Sequence, residues 1–230
     1  MNEPLAICRI LFRGGSATLW PWIILAISFG VNLAVYAVGD LPPEAHQSGG
    51  ILSLFLTAIF ATQQMWTRIL PFTIGQSGTR RGFLAGMGIF VLAGGLVAGL
   101  LLAALGSLEA TSAGWGVDMR FFRTSVLDGL SFGQRAVLLG VLFLLVSAIG
   151  CVAGAVMVRW GTAGMWGLLV GSIVLGGGLS VLLTWHNTWS TLSRWFVEHG
   201  WFEVWVAYPL LLTTAFVAAS WVIVRRAEVT

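Results

Sequence analysis

The 230 residues include twelve arginines, no lysine, nine acidic groups and three histidines, giving a formal net charge of +3. Hydrophobic residues make up 57% and charged residues only 9%, against roughly a quarter charged in soluble domains, and mean hydropathy is +0.90. This balance excludes an ordinary water-soluble domain. It also excludes a nucleic-acid footprint, because the arginines are scattered between apolar runs instead of clustered on one polar surface.

Residues 1–15 place Leu5, Ile10 and Leu11 around Arg9 and Arg13, which suits a short helix in the inner membrane interface; a leader without fixed structure fits the same residues. Residues 14–39 are uncharged and carry no persuasive small-residue cleavage site, so they read as a retained span and not a signal peptide. Six runs are long enough to cross a bilayer, at about 20–38, 51–72, 83–105, 136–157, 164–184 and 204–224. Unpaired amides cost several kcal/mol each in hydrocarbon, and the runs are continuous instead of alternating. The expectation is one all-α integral membrane domain over 1–230, a bundle of six transmembrane helices.

With the amino terminus inside, Arg9, Arg13, Arg68, Arg80, Arg81, Arg159, Arg225 and Arg226 fall on the cytoplasmic side, with Glu3 and Glu228. Arg120, Arg123, Arg135 and Arg194 fall outside, among Asp40, Glu44, Glu109, Asp118, Asp128, Glu198 and Glu203. The excess of arginine inside places both termini in the cytoplasm. The acids of the outer loops read as a solvated face. Residues 185–203 set Trp185, Trp189, Leu192 and Phe196 near helical spacing, as expected of an outer interfacial or re-entrant segment; an ordinary aromatic belt fits equally.

Small residues recur four apart at Gly82/Gly86, Gly95/Gly99, Gly150/Gly154 and Gly167/Gly171, a spacing that lets helices approach closely within the bundle. No internal duplication is evident, so symmetry would come from a partner chain. Cys8 and Cys151 imply neither disulfide nor metal.

Polar side chains inside spans mark a translocation path or a packing contact. Gln63, Gln64 and Arg68, followed by Pro71, form the strongest such cluster. Arg68 either lines a conduit or snorkels to the inner headgroups. Asn32 joins the path candidates, although an interhelical hydrogen bond is the better account of it. Gly75-Gln76-Ser77-Gly78 has the GxSG form of rhomboid intramembrane proteases. A nucleophilic serine needs a base, and His46, His186 and His199 are all assigned to the far side of the membrane. The glycines there read as breakers at a helix end.

Ser77-Gly78-Thr79-Arg80-Arg81-Gly82-Phe83 resembles the G-x-TRR-x-F signature of actinobacterial ABC-2-type permeases, with Ser77 where that pattern has glycine. Glu109, Gly114-Trp115-Gly116 and Arg159-Trp160-Gly161 resemble further elements of those permeases, in the same order along nearly the whole chain. The resemblance implies the ABC-2 exporter type of bundle: the membrane subunit of a bacterial plasma-membrane exporter for an amphipathic drug, lipid or peptide. It implies a homodimer, or a pairing with a similar permease. It also implies a separate nucleotide-binding ATPase subunit, with ATP and magnesium bound there and no cofactor on this chain. A chain without lysine cannot form the GxxxxGK[ST] loop, in keeping with that division of labour. Gln76, Thr79, Arg80 and Arg81 match the coupling helix of that family. The alternatives are a stand-alone secondary transporter or channel, and a non-transporting assembly or immunity protein. A membrane enzyme ranks last, for want of a catalytic constellation.

Overall fold

The computed structural model describes residues 3–13, 16–39 and 47–225. Asp40, Glu44, His46, Arg226 and Glu228 lie outside the described residues. The helices are α1 (Glu3–Arg13), α2 (Ser16–Val38), α3 (Leu52–Gly75), α4 (Arg80–Thr111), α5 (Phe132–Trp185), α6 (Trp189–Glu198) and α7 (Tyr208–Val224). Among the described residues the only extended pairing is an isolated bridge between Gln47 and Arg120.

Four helical stretches are long and apolar enough to cross a membrane: Thr18–Val38, Arg80–Thr111, Phe132–Trp185 and Glu203–Val224. At 24 residues α3 has the length, but Gln63, Gln64 and Arg68 dilute its apolar character. α5 runs for 54 residues, which as one straight rod would measure about 81 Å. It is not straight. Gly161 takes φ 62° and ψ −151°, a backbone region open essentially to glycine alone. A Cβ built on Gly164 would lie 3.4 Å from the carbonyl oxygen of Val156, eight residues earlier, whereas a continuous helix separates such positions by about 12 Å. The chain therefore turns sharply at one residue, where the sequence suggested a connection over 158–163. It leaves a first limb, 132–160, and a second, 162–185.

Glycine lets three helices close up. A Cβ on Gly140 of the first limb would sit 2.9 Å from the Gly95 carbonyl oxygen of α4. One on Gly150 would sit 2.5 Å from the Ile59 carbonyl oxygen of α3, and one on Gly154 would run into the Trp66 side chain. The core forms two clusters along this seam. Leu11, Trp66, Leu70, Phe83 and Met87 fill the end bearing the α3–α4 turn. Leu54, Leu102, Met119, Phe121 and Leu138 fill the opposite end.

α1 buries Ile7, Cys8 and Leu11 against the bundle and exposes Leu5 and Ile10. Two sequence expectations change. Glu109 is buried, not part of a solvated face. Finally, Gly167 and Gly171 on the second limb have nothing within 4 Å of a built Cβ, so among the described residues this pair makes no close helix contact.

Candidate functional site

The turn between α3 and α4 is fixed by its own sequence. α3 ends at Gly75 with Gln76 as its C-cap, Ser77 is left-handed at φ 62°, and the Gly78 N–H donates back to the Thr73 carbonyl at 2.9 Å. Thr79 then caps α4, its hydroxyl accepting from the Gly82 N–H at 2.9 Å.

Two further segments are tied to this turn. The Glu3 carboxylate of α1 accepts the Thr79 N–H at 2.6 Å and the Thr79 hydroxyl at 3.2 Å, placing negative charge at the positive end of the α4 dipole. A Cβ on Gly82 would meet that carboxylate at 2.5 Å, which accounts for glycine there. Arg80 Nη1 donates to the carbonyls of Val224 at 3.0 Å and Arg225 at 3.1 Å, and Arg159 Nη1 donates to that of Ile223 at 3.3 Å. These are carbonyls of the last turn of α7 that have no partner within their own helix among the described residues. One exposed turn is thus joined to α1, α3, α4 and α7. Gln76 and Arg81 are exposed on it.

The polar residues assigned to a path are not brought together. Asn32 donates to the Ser28 carbonyl at 2.8 Å and accepts from the Ser48 hydroxyl at 2.7 Å, a local helix-to-loop contact. Gln63 lies 3.8 Å from Met165 Sδ on the second limb. Gln64 and Arg68 are exposed on another face, and Arg68 sits about 10 Å from the α3 terminus. Ser77 belongs to the turn. His186 is exposed, and His199 Nδ1 lies 2.7 Å from the Trp195 carbonyl at the end of α6. No group of potential metal ligands occurs among the described residues. Cys8, outside the spans, has its thiol pushed up from its ordinary pKa by burial, which disfavours the reactive thiolate.

At the opposite end Glu109 organises the long loop. Its Oε2 accepts the indole N–H of Trp115 at 3.1 Å and the backbone N–H groups of Phe121 and Phe122, each at 2.9 Å; Oε1 accepts the Arg123 N–H at 3.0 Å. To bring the indole round, Ala113, Gly114, Trp115 and Gly116 are consecutively left-handed, with φ between 50° and 78°. Outside this knot Arg120 and Arg123 share Asp128 at 3.3 and 3.2 Å. The GWG element is therefore the ligand loop of a buried carboxylate. Sequence reasoning missed this, and it missed Glu3; no local pattern marks either, since the groups they bind lie up to 76 residues away.

Comparison with known proteins finds no family model, no curated protein and no solved structure that matches the chain.

Proposed function

We propose that the chain is the membrane-spanning subunit of an ATP-driven exporter of the ABC-2 type, working in a bacterial plasma membrane with both termini in the cytoplasm. In this reading there are six crossings: α2, α3, α4, the two limbs of α5, and α7. α3 crosses despite its glutamines. Two permease chains pair, as a homodimer or with a similar permease, and separate ATPase subunits carry ATP and magnesium. The cargo class is amphipathic: a drug, a lipid or a peptide.

One observation carries the proposal: the exposed turn at 76–81 is joined directly to the ends of four helices, through Glu3 to Thr79 and through Arg80 to the end of α7. A push on such a turn moves the helices as a set, which is what a separate motor requires of its membrane partner. ATP binding supplies the bias only because the motor binds the two states unequally. The uncovered Gly167/Gly171 face supports pairing with a second permease.

The test has two stages. A single-cysteine Thr79→Cys chain in intact cells is expected to resist a membrane-impermeant maleimide until the cells are opened. Arg80→Gln/Arg81→Gln is then expected to insert normally but to lose most substrate-stimulated ATPase activity of the co-purified complex. Labelling of position 79 from outside, or ATP-independent transport by the purified chain in proteoliposomes, overturns the reading. The second outcome would favour a stand-alone transporter.

A further inference from the structure

A cavity of about 440 Å³ lies between α4, the first limb of α5 and α7, with Trp66 of α3 at its floor. That size falls within the roughly 300–1,000 Å³ of ordinary ligand sites. Its wall is hydrocarbon: Leu84, Met87, Val91 and Leu144 contribute side chains, and the three hydroxyls are already committed. Thr213 donates to the Pro209 carbonyl, Thr214 to Leu211 and Ser220 to Phe216, at 2.8, 2.7 and 2.8 Å. Beyond the indole N–H groups of Trp66 and Trp221 and the Cys151 thiol, a polar solute would find no partner here and would forfeit most of its hydration.

The position of the cavity narrows the occupant further. Leu92, Thr214, Val217 and Ala218 of its lining are exposed, so it opens sideways between α4 and α7, toward the acyl chains of a surrounding bilayer. Its inner end is within about one helical turn, 5.4 Å, of the arginines: Leu84 is four residues from Arg80, and Ser220 four from the α7 terminus that Arg80 and Arg159 cap. Arg81 and Arg225 are exposed at the same level. Against these four cations the described residues set one nearby acid, Glu3, which is engaged with Thr79. An apolar slot beneath a cluster of guanidinium groups matches an amphiphile with a hydrocarbon tail and an anionic head.

We infer that this cavity seats one acyl chain of an anionic phospholipid whose phosphate rests on Arg81 and Arg159. The bound chain wedges α7 against α4 immediately below the clasp that joins α7 to the α3–α4 turn. Lipid occupancy thereby sets how firmly that clasp closes. The inference needs only the membrane embedding of the chain and none of its pairing with an ATPase, so the two can fail separately.

Native mass spectrometry of the purified chain, released from nanodiscs of equal phosphatidylglycerol and phosphatidylcholine, provides the test. Wild type is expected to retain phosphatidylglycerol over phosphatidylcholine by about thirtyfold, as follows from about 1 kcal/mol for each of the two arginines near the surface. Arg81→Gln/Arg159→Gln should keep a bound lipid but lose that preference. Gly88→Phe projects a ring into the cavity from a position with nothing within 4 Å of its Cβ, and should abolish retention of both lipids. Ala218→Phe fills the slot from the α7 side and serves if Gly88→Phe does not fold. Equal retention of the two lipids by wild type, or wild-type retention by a folded cavity-filled variant, overturns the inference.

Discussion

The two limbs of α5 are built from the same materials and meet opposite fates. Both are apolar, both are rich in glycine, and they are separated by one residue. The first limb buries Leu138, Leu139, Ser147, Ala148, Cys151 and Ala155 between α3 and α4. In the second, every residue from 172 to 182 is exposed, and Leu175 retains 76% of its surface. The glycines explain the difference. On the first limb each helix-facing glycine receives another helix's backbone or a large side chain, whereas Gly167, Gly171 and Gly178 of the second are open. A glycine in mid-helix costs about 1 kcal/mol relative to alanine, and only close approach returns it. Small-residue spacing therefore shows that a helix is able to pack, and the fold decides whether it does so within the chain.

The sharpest way to break this comparison is to put the same side chain on both limbs. Gly154→Leu must displace Trp66, whose own ring meets Phe83 edge to face at 5.2 Å, and crowd the Gln63 carbonyl. Destabilisation of about 3 kcal/mol is expected, measured as a fall in the midpoint of unfolding in mixed micelles. Glu109→Gln comes next. It acts where the loop leads into the first limb: an amide oxygen replaces a carboxylate that satisfies four donors, leaving buried N–H groups unpaired at about 2 kcal/mol. The exposed Asp128→Asn, by contrast, should cost below about 1 kcal/mol in the same assay, since Asp128 is 38% exposed and its ion pairs are solvent-screened.

These residues also mark how far the chain could be read before it folded. The helical runs, the arginine-rich end and the breakers at Gly75 and Gly78 are local features, and a local pattern is enough to place them. The knot on Glu109, the reach of Glu3 to Thr79 and the capping of α7 by Arg80 and Arg159 join residues up to 145 positions apart, and no periodicity encodes them. Of the site residues expected from the sequence, Thr79 and Arg80 lie at a junction of helices. Gln76 and Arg81 lie beside it, and Asn32, Gln63, Gln64 and Arg68 are dispersed because helix faces, not composition, set their neighbours.

The hinge between the limbs gives an effect of a different kind. Gly161 has nothing within 4 Å of a built Cβ, so Gly161→Ala meets no obstacle in space. Its cost is conformational: at φ 62° and ψ −151° an alanine is strained by about 1–3 kcal/mol. The chain can relieve that strain by straightening α5, which would carry the second limb away from α3. Loss of a cross-link made by a bifunctional maleimide between cysteines placed at Gln63 and Met165, whose side-chain tips now lie 3.8 Å apart, would report the straightening. An intact cross-link with lowered stability would show instead that the turn is held by its neighbours and not by glycine alone.

The smallest effect on the isolated chain is expected at Gly171, and that smallness is informative. Gly171→Leu removes a mid-helix glycine at a position where a built Cβ meets nothing within 4 Å, so monomer stability should be unchanged or higher by up to about 1 kcal/mol. If the open face is where a second copy of the chain closes on the first, the same leucine should abolish pairing, because a side chain then stands where two backbones must meet. Single-molecule photobleaching in lipid nanodiscs separates the two readouts: wild type bleaching in two steps and Gly171→Leu in one, at equal thermal stability, is the expected pattern. Two-step bleaching by both would leave the second limb facing lipid alone. Its exposed leucines and valines would then need no partner, since hydrocarbon is as good a neighbour for them as protein.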